Sequence, residues 1–155
     1  MGWILTQGTL SASPHKITAL ATVDPPTTVF GLRSFVGGYK VLSRVLKGYA
    51  DLLHTFDVIT AGRGSKDRIV WRDDLLQAFK TAQNALKKCD VITLPSPDDE
   101  LWIITDASVK NKGIGATLYC KQDDKLTLGG HFNAKLKENQ ITWLPCEVEA
   151  LYMQL

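Results

Sequence analysis

Asp106 closes the apolar run Leu101-Trp-Ile-Ile-Thr105, and Glu147 stands two residues after Pro145. These two acids are the residues whose type and setting could do chemistry. A carboxylate at the end of a buried strand needs a cation, hydrogen-bond donors or water. A glutamate in the first turn of a helix that crosses a sheet can come to face such an aspartate. Two facing carboxylates repel unless a divalent cation lies between them. Mg²⁺ takes a few carboxylate oxygens and keeps waters, which suits phosphodiester chemistry. Two such ions about 4 Å apart would activate an attacking water and stabilise the leaving oxygen. Plainer roles stand beside these. Asp106 would also serve as a strand-to-turn residue bonding the backbone of Ser108, and Glu147 as a match to the helix dipole.

The elements that must position this pair are legible. Leu101 to Thr105 is continuously apolar, as in a central strand buried on both faces. Ile114, Ala116, Leu118 and Cys120 alternate with Gly115, Thr117 and Tyr119, a second strand. Lys121-Gln-Asp-Asp-Lys125 reads as a polar turn, and Leu126 to Phe132 as a third strand loosened by Gly129-Gly130. Pro145 fits the first turn of a final helix. Leu94-Pro-Ser-Pro-Asp-Asp-Glu100 separates these strands from what precedes them.

The first part reads as helical after a short apolar piece, Gly2-Trp-Ile-Leu5. Ser13-Pro14 starts a short helix that Asp24-Pro25-Pro26 ends, and Thr27 or Thr28 caps a longer one. Leu32, Phe35, Val36, Tyr39, Leu42, Ser43 and Leu46 give that helix an apolar face. Arg33, Lys40, Arg44 and Lys47 are spaced by 7, 11 and 14 residues from the first. At about 100° per residue they form one stripe, able to track phosphates or simply to face water. Gly37 beside the stripe would permit close approach. A further helix is predicted from Asp73 to Lys88, its ends charged as the dipole favours. Trp71 and Tyr39 could stack on bases or pack in a core.

Composition excludes more than it assigns. The net charge is +2, with 45 % apolar and 22 % charged residues, as in an ordinary globular chain. Residues 1–97 hold 12 Lys/Arg and 7 Asp/Glu, whereas residues 98–155 hold 6 and 9. A basic first part beside an acidic second suits a nucleic-acid path leading to a carboxylate site, or is a chance imbalance of surface charge. Cys89, Cys120 and Cys146 are odd in number and lack a CxxC spacing, so reduced thiols in an intracellular protein, cytoplasmic or nuclear, are expected. No run of about 18 apolar residues suggests a membrane span, and the first ten residues do not form a secretory signal. His15, His54 and His131 lack metal-ligand spacing. Nothing in the sequence fixes an oligomeric state.

Three ordered pieces resemble the reverse transcriptases of gypsy-type LTR retrotransposons. The first, thumb-like, is Ile17-Thr-Ala-Leu20, Pro25-Pro-Thr-Thr28 and Leu32-Arg-Ser-Phe-Val-Gly37 with Tyr39, reaching Tyr49-Ala50. The second, connecting, is Val70-Trp71 with Ala78-Phe79 and Leu86. The third resembles ribonuclease H: Thr105-Asp-Ala-Ser108, Gly113-Ile-Gly-Ala116, His131-Phe132 with Lys135-Leu136, and Pro145-Cys-Glu-Val-Glu-Ala150. The resemblance implies an α/β chain, with a helical thumb/connection segment followed by a truncated ribonuclease H-like β-β-β-α unit. Its expected divisions are 1–60 thumb-like, 61–97 connection helix and linker, and 98–155 partial ribonuclease H-like.

On that resemblance Asp106 corresponds to the family's first metal-binding Asp and Glu147 to its catalytic Glu, while Glu149 is secondary. The implied activity of the intact parent is Mg²⁺-dependent cleavage of RNA in an RNA–DNA hybrid, or work on a template-primer duplex. Arg33, Lys40, Arg44 and Lys47 are the candidate backbone contacts. No Tyr-x-Asp-Asp occurs, so polymerase chemistry is not expected. The family's later carboxylates would fall beyond residue 155. Half a metal site, slight or no hydrolysis and an exposed apolar edge on the 101–105 strand are therefore expected. A non-catalytic nucleic-acid-binding or interaction remnant is the alternative.

Overall fold

The computed structural model describes residues 2–108, 113–136 and 140. It is a mixed α/β chain with two three-stranded antiparallel sheets. The expected final helix, with Glu147, Glu149 and Cys146, lies outside the described residues.

The N-terminal apolar piece is a whole hairpin. Strands β1 (Trp3–Thr6) and β2 (Thr9–Ala12) pair around Gln7-Gly8. Pro14 then starts helix α1 (Pro14–Ala21), as predicted, although the Ser13 hydroxyl makes no cap bond. Helix α2 (Val29–Lys40) is capped by Thr28, whose Oγ1 accepts from the Gly31 N–H at 3.2 Å. It stops at Lys40, short of the predicted stripe. From Leu42 onward the bonds tighten to a 3₁₀ turn over Ser43–Val45. The glycine pair and β-branched Val41 and Val45 explain that stop, because neither type favours a continued helix. Close approach occurs one residue later than expected. A Cβ on Gly38 would stand 3.2 Å from a Leu20 methyl of α1, whereas Gly37 faces open space.

Helix α3 (Tyr49–Thr60) is an addition to the predicted elements. It buries Leu53, Phe56 and Thr60, spaced by three and four residues. Helix α4 (Asp73–Ala85) continues as a 3₁₀ turn to Lys88, close to prediction. Phe35 of α2 sits at the centre of the core, 4.6 Å from Phe79 and 6.2 Å from Phe56 between ring centroids. Trp71 belongs to the same cluster, 5.2 Å from Phe79, with its indole N–H donating to the Pro26 carbonyl. The Tyr39 hydroxyl donates to the Ala82 carbonyl at 3.0 Å. Core packing, rather than base stacking, is therefore the role of both.

Strand β3 (Ile92–Thr93) returns the chain to β2 and completes the first sheet. The Leu94–Asp99 linker is closed by a turn in which Ser96 and Asp99 exchange hydrogen bonds. The second sheet runs β4 (Glu100–Ser108), β5 (Gly113–Gln122), β6 (Lys125–Lys135), in that spatial order. The polar turn is tight. Asp123 and Asp124 both take positive φ, at 44° and 63°, as a two-residue hairpin turn requires. A bulge at Gly129 shifts the β5–β6 register by one residue.

One expectation fails here. Leu101, Trp102, Ile103 and Ile104 are not buried on both faces but exposed, Ile103 at 67 %. Among the described residues β4 pairs with β5 alone, and its Leu101–Ile104 side chains are exposed. Among the described residues no helix is long and apolar enough to cross a membrane.

Candidate nucleic-acid interface and carboxylate cleft

Cross-strand registry puts the site together. Asp106 lies opposite Gly115, and Gly115 opposite Asn133. One step along, Ile104 lies opposite Thr117, and Thr117 opposite His131. Partners in register share a face of the sheet, so these two rows form one surface. A Cβ on Gly115 would sit 3.6 Å from Asn133 Oδ1. The missing side chain thus leaves a notch between Asp106 and Asn133. A cleft of about 280 Å³ opens over these rows, with Tyr119 at one end. Lys47, from the turn between the 3₁₀ segment and α3, completes its wall.

His131 fixes the floor. Its side chain is only 7 % exposed, with Nε2 2.9 Å from Asp90 Oδ2 and Nδ1 3.4 Å from Thr117 Oγ1. Asp90 belongs to the segment between α4 and β3, and its N–H is held by the Val45 carbonyl at 2.9 Å. The histidine therefore ties the second sheet to the helical part directly under the cleft. A Lys135–Asp51 ion pair adds a second tie, and the Cys120 thiol reaches the Thr93 carbonyl.

The four cations of the predicted stripe separate into different roles. Arg33 donates to the carbonyls of Thr60 at 2.7 Å and Arg63 at 3.0 Å, fastening α2 to the end of α3. Lys40 pairs with Asp57 at 3.0 Å, also between α2 and α3. Arg44 is exposed on the 3₁₀ turn, outside the cleft lining. Lys47 alone of the four shares a cleft with Asp106. The structure thus joins two residues that sequence spacing kept apart.

The cleft offers oxygen donors: the Asp106 carboxylate, the Thr117 and Tyr119 hydroxyls and the Asn133 amide. That chemistry suits a hard cation such as Mg²⁺. The number of carboxylates does not complete a cage, because no group of three His, Cys, Asp or Glu residues converges among the described residues. Thr117, Tyr119, His131 and Asn133 were not readable as site residues. Counting back from the Asp123-Asp124 turn without a bulge would pair Thr117 with Gly130 rather than His131. Gly129-Gly130 was the signal for the shift, since adjacent glycines in a strand favour a bulge.

Residues 71–154 match the family model described as the RNase H-like domain found in reverse transcriptase. The chain belongs to this family. The match takes in α4, β3, the Leu94–Asp99 linker and the whole second sheet, so Asp106 and the sheet side of its cleft lie inside the RNase H-like region, whereas Lys47 lies outside it. Among curated relatives, a retrovirus-related Pol polyprotein from transposon opus of Drosophila melanogaster is 29 % identical over 133 residues, covering 81 % of this chain. A Gag-Pol polyprotein of avian reticuloendotheliosis virus is 26 % identical over 115 residues, covering 74 % of this chain. The matches span only 13 % and 10 % of those two polyproteins. The fold is also that of the foamy viral protease-reverse transcriptase. Its RNA/DNA hybrid complex superposes with a TM-score of 0.84 at 12 % identity, covering 99 % of this chain and 20 % of that one. A form of that protein bound to double-stranded DNA gives 0.83 at 12 % identity, covering 99 % and 27 %. The RNase H-like stretch seen here is therefore of the kind carried by retroelement Pol polyproteins.

Proposed function

We propose that this RNase H-like chain contributes one wall of a Mg²⁺-dependent site that acts on the RNA strand of an RNA–DNA hybrid. The observation that carries this reading is the shared cleft of Asp106 and Lys47. A lysine beside a carboxylate suits a phosphodiester backbone: the ammonium can meet a phosphate, and the carboxylate would hold a cation that neutralises backbone charge. The foamy viral relatives of this fold bind double-stranded DNA and an RNA/DNA hybrid, which supports the same ligand class here.

In this reading Asp106 is one metal ligand and Glu147 a second, with Glu149 secondary. A bound Mg²⁺ would supply charge neutralisation at the scissile phosphate. The chain's own residues do the rest. Lys47 orients the backbone, the Gly115 notch leaves room for a phosphate, and His131 holds the cleft's floor against the helical body. Asp106 and Glu147 by themselves make an open cage, so these two residues alone support little or no hydrolysis. Residues 1–60, 61–97 and 98–155 act as thumb-like, connecting and RNase H-like divisions of an intracellular polyprotein product. Of the remaining stripe cations, Arg44 is the one open to a backbone contact.

Binding of a blunt, labelled RNA–DNA hybrid in Mg²⁺ tests this. Lys47→Ala should weaken binding by about threefold to tenfold and reduce its salt dependence. Asp106→Asn should remove the Mg²⁺-dependent part. Hybrid binding that neither substitution alters would overturn the assignment.

A further inference from the structure

Lys47 owes its place in the Asp106 cleft to a short run whose backbone is fixed on both sides. Before it, Val45 and Leu46 are buried; after it, Gly48 takes a φ of 69° and opens α3. The lysine stem can swing, but its Cα is set by where this run lies against β6. Two contacts decide that. Gly130 has a φ of 152°, which side chains rarely adopt, and a Cβ there would stand 3.6 Å from the Arg44 carbonyl oxygen. The strand backbone therefore passes directly against the 3₁₀ turn. The second contact is polar and runs through Asp90. Its N–H donates to the Val45 carbonyl at 2.9 Å, and its carboxylate meets His131 Nε2 at 2.9 Å.

Asp90 is a bracket between Val45 and His131, and its chemistry fixes the ring. An ionised carboxylate only accepts, so Nε2 carries a proton. In the neutral ring Nδ1 then accepts, and the Thr117 hydroxyl, 3.4 Å away, donates to it. The imidazole thus spans from the sheet face that holds Asp106 to the run that carries Lys47. The His131 side chain is 7 % exposed but that of Asp90 is 47 % exposed. Loss of the ring therefore leaves the carboxylate in water, and the link can be cut without stranding a buried charge. The Lys135–Asp51 pair joins β6 to α3 instead, beyond Gly48.

We propose that His131 is a positioning residue of this cleft: by holding Asp90 it fixes where Lys47 stands relative to Asp106. Its effect on a bound hybrid rests on the function proposed above, in which Lys47 meets the backbone beside Asp106. The placement of Lys47 itself does not.

Backbone amide NMR and hybrid binding, read on the same variants of the chain, test this. His131→Phe keeps a ring of similar size without the bond, and His131→Gln keeps an N–H donor for Asp90. His131→Phe should shift and broaden the Leu46 and Lys47 amide signals and speed hydrogen exchange at the Asp90 amide by about tenfold or more. His131→Gln should return both toward the native values. Lys135→Met, which cuts the other tie, should leave the Leu46 and Lys47 signals in place. In Mg²⁺, His131→Phe should weaken hybrid binding by about twofold to fivefold, and adding it to Lys47→Ala should weaken binding no further. A merely loosened fold would instead make the two losses multiply, without rescue by Gln. Undisturbed Leu46 and Lys47 signals in His131→Phe, or losses that multiply, would overturn the proposal. Hybrid binding indifferent to Lys47→Ala in the otherwise native chain would tell against the hybrid function instead, and the amide signals alone would then decide the role of His131.

Discussion

Single residues divide the cations that sequence spacing grouped. Arg33 spends its guanidinium on two carbonyls, so its removal should act on stability. Arg33→Ala should cost about 1 kcal/mol in urea unfolding, since charge-assisted bonds that are partly exposed give modest net stabilisation. The same change should leave hybrid affinity nearly intact. Lys47→Ala should show the reverse pattern. A buried phenol and a half-buried thiol supply another test. Burial, with the nearby Cys89 adding to it, pushes the Tyr39 phenol above its ordinary range. Burial, then the charge of Asp90, pushes the Cys89 thiol up to about 11. In both cases the folded state holds its proton while the unfolded chain releases it. Their stabilisation is therefore complete below pH 9 and fades as pH rises toward 11. Chemical denaturation across that window should show falling stability, and Cys89→Ala should flatten the fall. A profile that rises or stays level would contradict the burial described for these groups.

Among the elements, the strands of the second sheet and helices α1 and α4 were legible because their signals are local. Alternation marks β5, a polar pair marks the turn, and Pro14 and Asp73 mark helix starts. Three features were not legible, each for a tertiary reason. Helix α3 has a modest pattern, and it becomes clear only when Phe56 is seen against Phe35. Helix α2 is weakened at Gly37-Gly38, as the sequence signals, but the place of its stop, where Gly38 approaches α1 and the chain then tightens into a 3₁₀ turn, is set by packing. Burial of β4 depends on neighbours, which a continuous apolar run cannot supply by itself. The exposed apolar side chains of β4 carry a prediction of their own. Flat apolar edges pair with other chains. Ile103→Lys should lower concentration-dependent light scattering with little loss of secondary structure by circular dichroism. Unchanged scattering would show that β4 is not the sticky edge.

Over the whole molecule, the site is made by two parts meeting. The sheet brings Asp106, Thr117 and Asn133, and the helical part brings Lys47. His131–Asp90 and Lys135–Asp51 hold the two together around that junction. The sequence named Asp106 and Lys47 separately, one from the end of an apolar run and one from a helical stripe. Their meeting depends on the Gly129 bulge and on where α2 ends, neither of which local pattern determines. Glu147 lies outside the described residues, so the partnership of the two carboxylates is still a proposal. The family match covers the region that holds both.

The central claim is that Asp106 holds a divalent cation in this cleft, and Mn²⁺ offers the most direct test. Paramagnetic broadening of backbone amide signals under Mn²⁺ titration should centre on Gly115 and Asn133 and vanish in Asp106→Asn. Broadening confined to the acidic linker at Asp98, Asp99 and Glu100, and indifferent to that substitution, would contradict it.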